Sequence, residues 1–314
     1  MSKSEPDMPI EPAEDTEAQR CGFIAVIGAP NAGKSTLVNA LVGAKVTIVS
    51  HKVQTTRVPV RGIAIAGASQ LVFIDTPGIF SPRRRLDRAM VDAAATAAGD
   101  ADIVVMLVDA QKGVTEDVDR ILRQLANVAH PRVLVLNKID RVKKEDLLAL
   151  AADLNTRLDF PATFMISALK GSGVEDLKAH LASHVPEGTW HFPADDLSDV
   201  PERQLAAEIT REKLYERLHQ ELPYAATVET TAWQDRKDGS ARIEQTIFVE
   251  RDSQRVIVLG EGGRTIKDIS MRARKELTAL LERPVHLFLH VKVQEGWGND
   301  PERYRNMGLD YPKE

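Results

Sequence analysis

Short runs of almost uninterrupted apolar residues recur through the first half of the chain, and each ends in a loop rich in Gly, Asp or Asn. They are FIAVIGAP (Phe23–Pro30), LVFIDTPG (Leu71–Gly78), IVVMLVDA (Ile103–Ala110), RVLVLNKID (Arg132–Asp140) and ATFMISAL (Ala162–Leu169). A strand this apolar has to be covered on both faces. The amphipathic stretches between the runs, such as Val118–Val128 and Lys144–Leu158, supply the covers, and Val174–His184 follows as a last helix. The alternation predicts an α/β unit, a mostly parallel sheet with helices on both faces. Ligands bind such sheets at the carboxyl ends of the strands, where the motifs of this half of the chain lie.

At 314 residues the chain is long enough for two domains. Residues 1–20 are acidic, proline-containing and poor in apolar side chains, the composition of a disordered segment and not of a secretory leader. No apolar run reaches the ~18–20 residues that a membrane-spanning helix needs. The single cysteine, Cys21, excludes an internal disulfide framework and fits a reducing cytosol. The scattered histidines lack zinc-site spacing. A net charge of −5 argues against indiscriminate nucleic-acid binding but leaves room for a local basic patch.

GAPNAGKS (Gly28, Ala29, Pro30, Asn31, Ala32, Gly33, Lys34, Ser35) fits the phosphate-binding loop. Its glycines let the backbone curl so that successive N–H groups point inward, and the helix GKSTLVNALVG presents its positive end to the same anion. Leu37, Leu41 and Val42 mark one face of that helix. Lys34 is placed to reach the β- and γ-phosphates and Ser35 to offer a hydroxyl to Mg²⁺. In DTPG (Asp75, Thr76, Pro77, Gly78), Asp75 can hold the same ion through water, and Gly78 can approach the γ-phosphate. NKID (Asn137, Lys138, Ile139, Asp140) identifies the base. An ionised Asp is acceptor-only, so Asp140 can take both N–H donors on one edge of guanine, which adenine lacks. Asn137 adds polar contacts, the Lys138 stem can cover the purine face, and Ser167-Ala168 would bring backbone N–H groups near the guanine oxygen.

Residues 185–200 are rich in Pro, Asp and Gly and read as a linker between a unit at 21–184 and one at 201–314. Pro201 and Glu202 open a helix with Leu205, Ile209, Leu214 and Leu218 along it. Extended segments Ala225–Asp235 and Ala241–Asp252 follow, joined through Asp238-Gly239, a hairpin signal. VIVLGEGGRTI then leads into a basic helix to about Leu281 and a last strand, Pro284–Val293.

These motifs and their order resemble translation-factor-related GTPases, specifically the Era family, over about Gly22 to Tyr311. The helix-strand-strand-helix-helix-strand order resembles a type II KH domain, an α+β unit. Its G-x-x-G loop would be Gly260, Glu261, Gly262 and Gly263, with Arg264, Ile266 and Lys267 beside it. Val256, Ile257, Val258 and Ile266 would form an apolar wall for bases, and Arg272, Arg274 and Lys275 would extend a positive patch. Glu261 departs from the usual basic or neutral loop and shifts phosphate contact to Arg264 and Lys267.

The resemblance further implies GTP/GDP and Mg²⁺ as ligands. A threonine of QTTR, either Thr55 or Thr56, would complete the metal shell with Ser35 and Asp75. Ile79 stands where Ras-like GTPases carry a water-orienting Gln, so the site must orient water by another route or hydrolyse slowly. In relatives with this loop sequence the residue at Asn31 can hold K⁺, which predicts K⁺ dependence. Binding near the 3′ end of 16S ribosomal RNA, a role in maturing the small subunit, a peripheral contact with the inner membrane of an otherwise cytoplasmic protein, and a monomeric state are implied as well. The alternatives are a GTPase acting through protein or membrane partners, and a P-loop kinase or ATPase, which would have no use for guanine selectivity.

Overall fold

The computed structural model describes residues 18–312 apart from 53, 81, 83, 220 and 221. Most of the segment read as a disordered N-terminus, residues 1–17, lies outside the described residues. Arg20, counted with that segment, instead opens a strand and donates from its backbone to Ala68 O at 3.1 Å.

The first unit runs β1 (Arg20–Gly28), α1 (Lys34–Val42), β2 (Val60–Ala66), β3 (Ser69–Asp75), α2 (Arg85–Asp100), β4 (Ile103–Asp109), α3 (Glu116–Leu125), β5 (Arg132–Asn137), α4 (Lys144–Arg157), β6 (Ala162–Ile166) and α5 (Val174–His184). Its sheet has the order β2-β3-β1-β4-β5-β6, all parallel except β2, which pairs antiparallel with β3. Alternate residues of each strand feed opposite cores. Ile24 and Val26 of β1 pack with Leu37, Val38 and Leu41 of α1 and Leu177 and Leu181 of α5. Ala25 and Ile27 pack with Ala94 and Ala98 of α2, Ile121 of α3 and Leu154 of α4. Val38 joins Leu37 and Leu41 on the buried face of α1, and Val42, half-buried, packs against the same core.

The stretch 185–200 does more than connect. His191 and Phe192 donate their backbone N–H groups to Gln70 Oε1 at 2.9 and 3.1 Å, and Ile63 donates to Leu197 O at 2.9 Å. It thereby covers the outer edge strand β2, whose backbone groups would otherwise be open to pairing with another chain.

The second unit runs α6 (Glu202–Arg217), β7 (Ala226–Asp235), β8 (Ala241–Val249), α7 (Asp252–Leu259), α8 (Arg264–Leu280), β9 (Val285–Val293) and α9 (Pro301–Met307). β8 lies central, antiparallel to β7 and parallel to β9. In the β7–β8 turn, Gly239 takes φ +81° and the Asp238 carboxylate accepts from Ser240 N and Oγ at 3.0 and 2.7 Å. Beyond β9 the chain returns to the first unit. Trp297, Tyr304 and Leu309 are buried against Val58 and against Leu86 and Met90 of α2. Among the described residues no helix is long and apolar enough to cross a membrane.

Candidate functional site

A cavity of about 370 Å³ opens at the carboxyl ends of β1, β3, β4 and β5. At one end lies the P-loop. Gly33 takes φ +101°, and a Cβ there would meet Asn137 Nδ2 at 2.4 Å; a Cβ on Gly28 would meet Leu107 O at 2.4 Å. Both glycines are therefore dictated by close approach. Asn31 also lies in the left-handed region, at φ +63°, and donates its amide to His51 O at 3.0 Å, tying the P-loop to the segment after α1. Lys34 is buried and donates to Gly28 O and Ala29 O at 3.1 and 3.2 Å. Burial pushes its pKa down to about 8, with the Asp75 carboxylate opposing part of that shift.

Below Lys34 a group of oxygens converges. Asp75 Oδ2 accepts from Ser35 Oγ at 2.7 Å, Thr47 Oγ1 at 2.9 Å and Thr56 Oγ1 at 3.2 Å, and Ser35 Oγ lies 2.9 Å from Thr56 Oγ1. Burial raises the Asp75 pKa against the opposing effect of these hydroxyls and of Lys34. Its other oxygen, Oδ1, is buried without a hydrogen-bond partner. A hard-oxygen donor set with an orphaned buried carboxylate oxygen fits a Mg²⁺ ion bound with water and phosphate. Of the two threonines, Thr56 joins this group. Thr55 turns away, its hydroxyl donating to Lys52 O at 2.8 Å and meeting Ser50 Oγ at 2.7 Å.

At the other end Asp140 is held by Ser167 Oγ at 2.7 Å, a bond that keeps its carboxyl below the usual range and so ionised at neutral pH. Lys138, at φ +66°, reaches under the cavity to Asn31 O and Asp109 Oδ2, each at 2.7 Å. Asn137 knits the loops together, donating to Ala32 O at 2.9 Å and accepting from Ala168 N at 3.0 Å.

Several residues assigned to the nucleotide also commit a side chain or an amide to the scaffold. The Thr76 hydroxyl is spent on Val26 O at 2.8 Å, because a fully buried hydroxyl needs a partner. Ile79 sits in the core with Ala25 and Ile27, and Ala32 in the core with Leu37. Ile139 packs against the core, and the Ala168 amide is committed to Asn137. Gly78 lies against Pro30, where a Cβ would approach within 3.2 Å; among the described residues no hydrogen bond fixes a role for Pro77. Asp109, Thr47 and Leu169, which the motifs did not flag, belong to the site. Asp109 carried a signal, a lone acid closing an apolar strand; Thr47 carried none.

In the second unit Gly260, Gly262 and Gly263 all take positive φ (71°, 58° and 76°), so the loop between α7 and α8 is built on glycine geometry. Val256 and Ile257 are exposed beside it, whereas Val258 is fully buried and drops out of the expected apolar wall. It is the core-facing residue of α7. Ile266 is half-buried, and Glu261, Arg264 and Lys267 are exposed. Arg272 is engaged by Asp268 and Glu216, which draws it away from the positive patch.

The comparisons with known proteins agree with this architecture. A family model described as a 50S ribosome-binding GTPase matches residues 23–138, and a KH-domain model matches residues 221–298. The GTPase Era of Rhizobium meliloti (strain 1021) is 62% identical over 311 residues, covering 98% of this chain and 99% of that protein. The GTPase Era of Bradyrhizobium sp. (strain BTAi1) is 64% identical over 295 residues, covering 94% and 96%. This chain belongs to the Era family of GTPases. Among solved structures, Era in complex with MgGDPNP and nucleotides 1506–1542 of 16S ribosomal RNA superposes with a TM-score of 0.88 at 35% identity, covering 92% of this chain and 99% of that one. A variant of Aquifex aeolicus Era bound to GDP.AlF4− superposes with a TM-score of 0.87 at the same identity and coverage. The two-domain fold, a P-loop GTPase followed by a KH domain, is the fold of this family.

The buried Lys34 gives a pH signature. Phosphate favours the ammonium form, so above pH 8 nucleotide binding must take up a proton. Affinity for a fluorescent GTP analogue is then expected to fall as pH rises through about 8, by up to about tenfold per unit until the pKa of the complex is reached. Titrations between about pH 7 and about pH 9.5 check this, and Lys34→Met should flatten the slope.

Proposed function

We propose that this GTPase is a slow nucleotide-controlled switch whose KH domain binds the 3′ region of 16S ribosomal RNA, and that it assists maturation of the small ribosomal subunit. The observation that carries the nucleotide reading is the division of one cavity. Asp140 lies at one end of it, and Lys34 with the Ser35–Thr56–Asp75 oxygens at the other. The span suits a guanine nucleotide laid between them.

In this reading Asp140, ionised, accepts the two N–H donors of guanine, while Lys138 lies under the base and orders the P-loop through Asn31 O. The P-loop amides and Lys34 hold the phosphates. Ser35, Thr56 and Asp75 would hold Mg²⁺, which supplies positive charge at the γ-phosphate when bound. Ile79, buried and apolar, cannot orient the attacking water as the Gln of Ras-like GTPases does, so hydrolysis is slow unless another group positions that water. Asn31 offers a partial substitute. Its amide hydrogen is engaged by His51 O, and its amide oxygen has no donor among the described residues, which suits a K⁺ ion beside the phosphates. The reading of the RNA surface rests on the three positive-φ glycines between α7 and α8, flanked by exposed Val256, Ile257 and Lys267. A monomeric protein of the cytoplasm, with peripheral contact at the inner membrane, completes the proposal by family resemblance.

Each part has its own test. Asp140→Asn should weaken GTP binding by at least about tenfold and shift preference to XTP; retained preference for GTP in competition assays refutes the base contact. Hydrolysis in matched K⁺ and Na⁺ buffers should be faster in K⁺, and equal rates refute the role given to Asn31. Replacing Gly262 and Gly263 by Asp should abolish binding of a 16S 3′-end RNA in a filter assay while leaving GTP affinity unchanged. Unaltered RNA affinity would make the basic helix an ordinary solvated face.

A further inference from the structure

Thr56 and Arg57 are neighbours in the chain that face opposite ways. The Thr56 hydroxyl points to Ser35 and Asp75, and the Arg57 side chain enters the KH domain, where it is 5% exposed. Its Nη2 donates to Tyr215 Oη on α6 at 3.0 Å and to the carbonyls of Pro223 and Tyr224 at 3.3 and 3.4 Å. The guanidinium carbon lies 5.8 Å from the ring centre of Tyr215 and 5.7 Å from that of Trp297, within cation–π range of both.

Trp297 also meets the other side of the site. Its indole N–H donates to Ala225 O at 2.9 Å, and its ring belongs to the buried cluster that includes Leu86 and Met90 of α2, the helix that follows DTPG. Further bonds fix the same segment from the KH side. Arg211 Nη2 donates to Thr55 O at 2.6 Å, Val49 N donates to Glu212 Oε1 at 2.8 Å, and Ile48 is buried in the KH core with Ile209 and Ile243.

The box is not balanced. Arg57 and Arg211 are both buried, each with an Nη1 lacking a partner, and Glu208 is the carboxylate paired with Arg211. Among the described residues Arg57 has no ion pair of its own and shares the field of Glu208 with Arg211, so its contact holds while the geometry is complete and lets go when it is disturbed.

We propose that Arg57 is a positioning residue that couples the KH domain to the metal-binding threonine. Seated between Tyr215 and Trp297 it holds Thr56 against Ser35 and Asp75; unseated, it lets Thr56 leave the metal shell. This rests on the reading of Thr56 as a Mg²⁺ ligand. Because coupling is reciprocal, nucleotide state must alter RNA affinity by the same factor that RNA alters nucleotide affinity.

The test uses the full chain. Affinity for a fluorescent GTP analogue is measured against Mg²⁺ concentration, and affinity for a synthetic RNA of 16S nucleotides 1506–1542 is measured with a GTP analogue and with GDP. Arg57→Ala and Trp297→Leu are each expected to raise the Mg²⁺ needed for half-maximal tight nucleotide binding by about three- to thirtyfold. Both should also bring the ratio of RNA affinities in the two nucleotide states to about one, although both side chains are buried and neither lines the nucleotide cavity. Should either variant fail to fold by circular dichroism, Arg57→Lys and Trp297→Phe are judged by the same criteria with smaller shifts. Folded variants with wild-type Mg²⁺ dependence and a wild-type RNA ratio overturn the proposal, as does a wild-type ratio of one. Thr56→Ala separates the two layers. If it raises the Mg²⁺ requirement while the Arg57 variants do not, the coupling alone falls; if it too has no effect, the assignment of Thr56 falls and the coupling with it.

Discussion

A carboxylate with no solvent exposure lies at the end of β3, and the arrangement around it is organised to make that tolerable. Asp75 is surrounded by hydroxyls of Ser35, Thr47 and Thr56, contributed by the first turn of α1 and by the irregular segment between α1 and β2. Burying a carboxylate is expensive unless it is paired or bound to a cation. The hydroxyls satisfy one oxygen and leave the other without a partner. The site is thus electrostatically incomplete at the point where a divalent cation and a triphosphate would complete it. The same demand draws the segment carrying Thr47 and Thr56 inward, and this segment is also the part of the GTPase unit that meets α6.

The sheet was legible in the sequence because its strands are buried on both faces and so read as continuous apolar runs. β2 was not, because an edge strand covered by the 185–200 stretch does not need such a run; VRGIAIA carries an arginine and a glycine, and its order is fixed by pairing with β3. α2 was missed for a related reason. Its buried face is largely alanine, which packs closely against the sheet and against the returning C-terminus without a strong apolar signal. The C-terminal run from Trp297 to Tyr311 could be recognised by family resemblance, but not what it packs on, since contacts between elements distant in the chain leave no periodicity behind.

The site divided in the same way. P-loop, DTPG and NKID are local motifs whose backbone geometry is dictated by their own residues, so their convergence could be read from spacing. The choice between Thr55 and Thr56 could not, because it depends on where Ser50, Lys52 and Arg211 hold the neighbouring atoms. Thr76, Ile79 and Ala168 show the converse. A residue inside a nucleotide motif can spend its polar group, or its side-chain volume, on holding the loop. Val258 makes the same point in the KH domain, where a hydrophobic run next to the glycine loop contains both exposed residues and one that belongs to the core.

Arg57 brings the two units into one energetic account. A buried guanidinium that shares its carboxylate with a second arginine costs on the order of several kcal/mol. The hydrogen bonds to Tyr215, Pro223 and Tyr224 and the two aromatic faces return about the same order in small increments. An apolar residue of similar size would pack there without that cost, so the arginine is a poor choice for permanent adhesion between domains. It is a good choice for a contact that has to form and break. Near-cancellation is what lets the modest free energy of metal, nucleotide or RNA binding decide whether the seam stays closed. The chain position of Arg57, one residue from Thr56, ensures that the decision is felt at the nucleotide.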